Sequence, residues 1–212
     1  MRMRPKKHRE ERILAVSGYF AAFEGDKLNL NASFPERSPR TVYEFGCGKG
    51  AFACALAQRE TKTDIVAVER VRDVVLMAME KAAAAGVKNL RFANFDLEHV
   101  TDVIPPHSAD AIYINFCDPW PRKRHAKRRL TSPMYLERYK QILAPGAKIY
   151  FKTDNIGLFE YSLETFPAAG YKLQNVCFDL HSDPLNAKNI ETEYEKNFSA
   201  KGFKINYLEA SL

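Results

Sequence analysis

The sequence predicts an α/β fold: a mostly parallel sheet of seven strands, with helices on both faces and one antiparallel strand near an edge. Short runs rich in β-branched and aromatic residues alternate with longer amphipathic segments between residues 41 and 166, which is typical of β-α-β units. A glycine-rich turn, Gly46 to Gly50, directly follows the first of these runs. Two more strand-like runs come close together after residue 170, and they predict the antiparallel strand.

Length and composition narrow the class of protein. The chain has 212 residues, 46% of them hydrophobic, which suits a single α/β core. Its net charge of +6 favours a polyanionic partner. The four cysteines form no C-x-x-C pair and the five histidines show no ligand spacing. We therefore expect reduced thiols in the cytoplasm, and neither a metal nor an iron–sulfur cluster.

The first forty residues are predicted to form a basic arm, a helix and a polar loop ahead of one domain at 41–212. An apolar run at 13–23 follows the basic start, as in a signal peptide, but two glutamates interrupt the charge and no cleavage site follows. The apolar residues recur at helical spacing, so we expect a core-facing helix near 8–22 and a mobile loop at 25–40. No run reaches the length of a membrane span. The arm either contacts phosphates or frays, and its basic residues are Arg2, Arg4, Lys6, Lys7, Arg9 and Arg12.

The remaining elements follow from local composition. Gly86 ends one predicted helix, Pro133 lies in the first turn of another, and Pro145-Gly146 closes that second helix. The predicted strands are 41–45, 64–68, 90–94, 109–116, 147–151, 171–180 and 203–208. The predicted helices are 51–59, 71–85, 132–143 and a last segment that ends near 166.

Acidic residues stand at or beside the C-terminal ends of five predicted strands, where ligands bind in parallel sheets. These residues are Glu44, Glu69, Asp96, Asp118 and Asp154. Gly46, Gly48 and Ala51 also fit the dinucleotide fingerprint G-x-G-x-x-G/A. An acid about 20 residues after such a turn, here Glu69, commonly holds ribose hydroxyls, and Asp96 is suited to accept a hydrogen bond from an exocyclic amine. The pattern predicts a nucleotide-like cofactor.

The segment from Ile112 to Leu130 combines an acid, a ring and a block of positive charge. A strand-like run ends at Asp118-Pro119, and two prolines stiffen the backbone around Trp120. This arrangement favours chemistry on a flat, polyanionic substrate over a merely solvated basic loop. Trp120 either stacks on that substrate or shapes the pocket. The positive residues that follow are Arg122, Lys123, Arg124, His125, Lys127, Arg128 and Arg129.

Four motifs together resemble the bacterial tRNA (guanine-N7)-methyltransferases, over nearly the whole chain from Val42 onward. They are VYEFGCGKG at 42–50, DPWPRKRHAKRR at 118–129, KTDN at 152–155 and TEYE at 192–195. The glycine turn is generic to S-adenosylmethionine enzymes, whereas DPWP with its basic block and TEYE is specific. The resemblance implies a Rossmann-like class I methyltransferase that moves the methyl group of S-adenosylmethionine to N7 of a guanosine in tRNA.

The resemblance also implies site residues. It assigns the cofactor to Glu44, Gly46, Gly48, Gly50, Glu69, Asp96 and Asp118, and it makes Asp118 the centre of catalysis. It assigns the substrate to Arg122, Asp154, Thr192, Glu193, Tyr194 and Glu195. Family members usually carry Lys where this chain has Arg122; Arg keeps the charge but changes its geometry, so activity should survive. We expect the RNA phosphates to meet the basic residues Arg124, Lys127, Arg128 and Arg129.

Methyl transfer to N7 suits such a site, because N7 carries a lone pair and no proton. The protein must align N7 with the methyl group and tolerate the positive charge that develops on the base. Asp118 and Asp154 are the candidates for that charge and for guanine's N–H donors, with their division of labour open. The expected partner is tRNA, without membrane or metal, and the chain is either a monomer or a homodimer.

Three other functions remain possible from the residues. An amino-methyltransferase is one, because DPW resembles the D/N-P-P-Y/F motif that receives an exocyclic amine. A nicotinamide dehydrogenase is another, because the glycine turn permits it. A non-catalytic RNA-binding module is the third, although a pure binder of a polyanion has no need of a row of carboxylates.

Overall fold

The computed structural model describes residues 8–212; the first seven residues, with Arg2, Arg4, Lys6 and Lys7 of the predicted arm, lie outside the described residues. The chain divides into two compact units, Met1–Val103 and Ile104–Leu212. Within residues 8–212 the main sheet is mixed and has seven strands, mostly parallel, with helices around it. The predicted fold class is therefore confirmed.

The N-terminal part of the first unit differs from the prediction. Helix α1 spans only Arg9–Ala15, and a 3-10 turn at Ser17–Tyr19 follows it. The helix expected near 8–22 was therefore too long, because Ser17-Gly18 interrupts it with weak helix formers. Arg12 donates two hydrogen bonds of 2.7 Å to the Glu80 carboxylate, which ties α1 to a helix of the same unit.

The loop expected at 25–40 contains regular structure. Strands β1 (Phe23–Glu24) and β2 (Lys27–Leu28) form a hairpin, whose turn uses the left-handed backbone of Gly25, at φ 60°. Helix α2 (Leu30–Ser33) follows, and the Asn29 side chain caps it by accepting a hydrogen bond from the Ala32 N–H.

The first unit continues with β3 (Thr41–Phe45), α3 (Ala51–Arg59), β4 (Asp64–Val68), α4 (Arg72–Ala85), β5 (Leu90–Ala93) and α5 (Val100–Val103). The strands are parallel in the order β5-β4-β3. Every residue of β3 and β4 is buried, as expected for parallel strands covered on both faces. Phe45 pairs with Val68 and Val68 with Ala93, so the three strands end level with one another.

The second unit contains β6 (Ala109–Asn115), α6 (Pro133–Ile142), β7 (Leu143–Thr153), α7 (Ile156–Ala168), β8 (Lys172–Cys177), α8 (Glu193–Ser199) and β9 (Asn206–Ser211). Its strand order is β6-β7-β9-β8, with β6 parallel to β7 and β9 antiparallel to both of its neighbours. The predicted antiparallel strand near an edge is therefore confirmed.

Strand β7 begins four residues earlier than the sequence predicts. We expected Pro145-Gly146 to close the preceding helix ahead of a strand at 147–151, but Leu143 already pairs with Ala109 across a register shift at the start of β6. An irregularity of this kind accommodates a proline and a glycine that a regular ladder would reject. Along residues 8–212, no helix has both the length and the apolar character needed to cross a lipid bilayer.

Candidate active site

The glycine-rich turn lies between β3 and α3. Gly46 and Gly48 have φ values of 75° and 53°, which glycine adopts without strain. The N–H groups of Gly46 and Cys47 both donate to the Val68 carbonyl, at 2.9 and 3.0 Å, and fasten the turn to the end of β4. A Cβ at Gly46 or Gly48 would meet no heavy atom within 4 Å. Both peptide groups are therefore approachable by a ligand.

Gly50 serves packing in addition to backbone conformation. Its φ is 72°, and a Cβ there would lie 2.8 Å from the Ala78 Cβ and 3.2 Å from Phe92 Cε1. The turn therefore rests directly on α4 and β5, with no room for a side chain between them.

Replacing Gly50 with Ala is expected to lower the free energy of unfolding by about 2–4 kcal/mol, since backbone strain and a steric clash both act there. Gly86→Ala is the matched control. Gly86 has a similar φ of 64°, but nothing lies within 4 Å of the added Cβ, so only the strain remains. Urea unfolding of both variants gives the difference. Equal decreases in the free energy of unfolding would show that the close contact with α4 adds nothing to the effect of Gly50→Ala.

The three predicted acids of the first unit lie along one edge of its sheet. Glu44 is buried at the end of β3, Glu69 directly follows β4, and Asp96 follows β5 with a half-exposed side chain. The Asn94 side chain donates to the Glu69 carbonyl at 2.8 Å and joins the last two strand ends. The level ends of the strands therefore place these acids along the edge of the sheet at which the glycine turn begins.

Each of the two more exposed acids also orders its own loop. Glu69 Oε1 accepts a hydrogen bond from the Val71 N–H at 2.9 Å, just before α4 begins. Asp96 Oδ1 accepts one from the Glu98 N–H at 3.1 Å. These contacts fix the direction of both carboxylates.

The thiol of Cys47 reports on the charge around the turn. Burial raises the pKa of Cys47 well above its ordinary value, and the negative charges of Glu44 and Glu69 raise it further. Both carboxylates therefore act on the same small space, and the thiol stays protonated. Negative charge of this kind favours a ligand that carries a positive charge.

In the second unit, two strained residues bracket Asp118. Phe116 and Trp120 have φ values of 52° and 41°, a left-handed conformation that costs a bulky residue of order 1–3 kcal/mol. The Phe116 N–H donates to the Lys152 carbonyl at 2.9 Å, where β6 and β7 end. Asp118 itself is exposed. Backbone strain of this kind is concentrated at functional sites, where surrounding contacts maintain it.

Cys117 is not a nucleophile in this conformation. Burial raises the pKa of the Cys117 thiol to about 12, with a smaller contribution from the Asp118 charge. The thiol is therefore protonated at neutral pH.

The basic block forms a 3-10 turn at Lys123–Arg128, and its members point to different partners. Arg124 and Lys127 are exposed. The Arg128 guanidinium lies 4.9 Å from the centre of the Trp120 ring, a cation–π contact. Arg129 folds back onto the Asp118 loop. Of the four predicted phosphate contacts, Arg124, Lys127 and Arg128 are thus exposed, while Arg128 and Arg129 also contact their own segment.

Asp154 follows the end of β7 and meets α8. The Tyr194 hydroxyl donates to Asp154 Oδ2 at 3.3 Å, and the Tyr194 ring lies 5.1 Å from the Phe116 ring. The same ring stacks on Phe198 at 4.1 Å. Tyr194 is 42% exposed, so it links Asp154 to the start of the Asp118 loop and still presents a free part of its ring.

The TEYE segment at 192–195 divides into two kinds of residue. Thr192 and Glu195 form a reciprocal capping box at the start of α8 and are both buried. Glu193 and Tyr194 are exposed. All four residues of this segment were predicted to contact substrate. The structure leaves two of them at the surface and places the other two inside.

A buried polar network holds this helix, and sequence reasoning missed it. The Lys152 ammonium donates to Glu195 Oε2 at 2.6 Å and to Asn189 Oδ1 and the Ile190 carbonyl, each at 2.9 Å. His181 Nε2 lies 2.8 Å from Glu195 Oε1. The only signals in the sequence were the T-x-x-E capping pattern and the Lys of KTDN.

The charge of Glu195 is stabilised in this network. Burial alone would raise the pKa of Glu195, but the Lys152 charge and the hydrogen bonds from Lys152, His181 and Asn189 outweigh it and hold the pKa below its ordinary value. The carboxylate is thus ionised at neutral pH and fixes α8 beside the end of β7.

Comparison with solved structures identifies the fold. A 16S rRNA methyltransferase, KamB, superposes with a TM-score of 0.63 over 90% of this chain and 98% of that chain, at 16% identity. A SAM-dependent methyltransferase from Aquifex aeolicus superposes with a TM-score of 0.56 over 82% of each chain, also at 16% identity. The fold is that of S-adenosylmethionine-dependent methyltransferases.

Sequence comparison is more specific. A family model described as "Putative methyltransferase" matches residues 38–208. A tRNA (guanine-N(7)-)-methyltransferase of Brevibacillus brevis is 42% identical over 87% of this chain and 86% of that protein. One of Macrococcus caseolyticus is 40% identical over 99% of both. The chain belongs to the tRNA (guanine-N(7)-)-methyltransferase family.

Proposed function

We propose that this protein transfers the methyl group of S-adenosylmethionine to N7 of a guanosine in tRNA. The observation that carries the proposal is the 40% identity to a tRNA (guanine-N(7)-)-methyltransferase over 99% of both chains. The acids at the ends of the strands support the same function on physical grounds. No observation favours the amino-methyltransferase, the dehydrogenase or the non-catalytic module.

The first unit has residues that fit the cofactor. Carboxylates of Glu44 and Glu69 beside the turn suit ribose hydroxyls and a positive sulfonium, and Asp96 suits the amine of adenine. Gly46, Gly48 and Gly50 allow the backbone to approach the ligand. When bound, S-adenosylmethionine supplies an activated methyl group. That Asp118 also contacts the cofactor stays a prediction.

The second unit supplies the groups for the base. We assign the reacting centre to Asp118, because strained backbone on both sides of a residue is characteristic of functional sites. Its carboxylate stabilises the positive charge that develops on guanine as N7 is alkylated, without removing a proton. Asp154, oriented by Tyr194, accepts from the N1–H and N2–H edge of the base. Glu193 and Tyr194 contact the substrate, whereas Thr192 and Glu195 keep α8 in position.

Basic residues bring the RNA to this site. Arg122, Arg124 and Lys127 are exposed after the Asp118 loop and are suited to phosphate contacts. Such contacts offset the free-energy cost of unstacking the target base, which is roughly a few kcal/mol. We also propose that residues 1–40 form an N-terminal segment that precedes the domain at 41–212. We propose further that the protein acts on tRNA in the cytoplasm, as a monomer or homodimer.

Nucleoside analysis tests the proposed function. The purified protein is incubated with unmodified tRNA and methyl-labelled S-adenosylmethionine, and the digested nucleosides are separated by mass spectrometry. We expect label in N7-methylguanosine, which is labile to alkali. Label in an alkali-stable N-methylated amine would instead support an amino-methyltransferase, and tRNA binding without any label would support a non-catalytic module.

A further inference from the structure

Arg129 directs its guanidinium at its own loop. Nε donates to the Pro119 carbonyl at 3.0 Å, and Nη2 donates to the Trp120 carbonyl at 3.1 Å. The guanidinium carbon lies 4.3 Å from the centre of the Tyr161 ring on α7. The side chain thus has a backbone partner for two of its nitrogens and an aromatic ring beneath its plane.

The two carbonyls belong to the residues directly after Asp118. The second of them is Trp120, one of the strained left-handed residues. A guanidinium presents parallel donors in a rigid fork, so it can hold two successive carbonyls in one orientation, whereas an ammonium cannot reproduce that fork. The Trp120 ring is also restrained, by Arg128 on its face and by the His125 ring at 5.8 Å.

We infer that Arg129 is a positioning residue, which holds the Asp118-Pro119-Trp120 turn in its catalytic conformation, and that it is not one of the phosphate contacts. This inference rests on the proposed function only for the role of Asp118. It separates Arg129 from Arg124 and Lys127, although all three belong to one run of positive charge in the sequence.

The variant Arg129→Lys distinguishes the two roles because it keeps the charge and removes the fork. We expect kcat to fall about ten- to a hundredfold, since small displacements of a reacting group have effects of this size. The KM for tRNA and its salt dependence should remain close to those of the wild type. Trp120 is the single tryptophan of the chain, so a change in intrinsic fluorescence and in acrylamide quenching, measured without substrate, reports directly on the turn.

Arg124→Gln is the matched comparison. Arg124 is exposed, so this variant should weaken tRNA binding and reduce the salt slope by about one, while Trp120 fluorescence stays as in the wild type. Arg129→Lys should therefore change kcat and the Trp120 fluorescence, whereas Arg124→Gln should change tRNA binding and its salt dependence.

A second variant guards against general unfolding of Arg129→Lys. Tyr161→Leu removes the ring beneath the guanidinium and retains both carbonyl contacts, so it should shift the fluorescence and lower kcat in the same direction but by less. Wild-type fluorescence and kcat in Arg129→Lys, together with a reduced salt slope in Arg129→Gln, would overturn the inference and make Arg129 a phosphate contact. Because the fluorescence is read without substrate, failure of the proposed methyl transfer would not alter this result.

Discussion

Asp118→Asn is expected to lower kcat by roughly a hundredfold to a thousandfold, which is typical for the loss of one preorganised electrostatic contact at a reacting centre. The amide keeps the size of the side chain but removes the negative charge that we propose stabilises the alkylated base. The affinity for tRNA should change little, because we assign the phosphate contacts to the exposed basic residues and not to this carboxylate.

Single-turnover methyl transfer and a separate tRNA binding titration measure the two quantities independently. Asp102→Asn provides a control of the same chemistry, since Asp102 is a surface acid paired with His99 at 3.5 Å and stands at no strand end. Asp102→Asn should match the wild type in both assays. Unchanged turnover in Asp118→Asn would remove Asp118 from the chemistry.

Lys152→Ala is expected to destabilise the protein by about 3–5 kcal/mol, because it leaves the buried Glu195 carboxylate without its cation. Glu195→Gln in the same chain should recover part of that loss, since it removes the uncompensated charge. Urea unfolding measures both effects. An additive double variant would show that the two side chains do not interact.

Lys148→Ala is the matched control on the same strand. Lys148 pairs with Glu209 at 2.7 Å but keeps 35% of its side chain exposed, so its loss should cost only about 1 kcal/mol. A cost as large as that of Lys152→Ala would mean that burial does not distinguish the two pairs.

The buried Lys152–Glu195 pair also predicts that the stability of the protein depends on pH. The folded-state pKa of Glu195 lies below its ordinary value, so the ion pair contributes stability above the unfolded-state pKa and loses that contribution as pH falls through the depressed folded-state value. The stability difference between wild type and Lys152→Ala should therefore be full at neutral pH and shrink in acid. A difference in the free energy of unfolding that stayed constant down to acidic pH would contradict this prediction.

Sequence reasoning placed the acids well, because their positions follow from where the strands end. The hydrophobic period locates β3, β4 and β5, and Glu44, Glu69 and Asp96 stand at or just beyond their ends. Local chemistry was equally informative for α6, which has Pro133 in its first turn as predicted and begins one residue after the predicted start.

The partners of individual side chains could not be predicted from local sequence patterns. Glu195 and Lys152 are 43 positions apart, and no local pattern shows that a glutamate in a polar loop is buried. The direction of Arg129 was equally hidden, since every residue in a run of positive charge has the same composition around it. The length of α1 was overestimated because helical spacing continues past Ala15 while Ser17-Gly18 breaks the helix.

The position of β9 between β7 and β8 imposes an order on folding. Thr153 and Asn206, which pair at one end of the β7–β9 ladder, are 53 positions apart, and β8 is synthesised before β9. Until β9 arrives, an eleven-residue strand lacks its neighbour on one side, and β8 is available to take that place in the wrong register. Closing so long a loop is slow, so we expect refolding to be limited by this late insertion and to lose material to aggregation at high protein concentration.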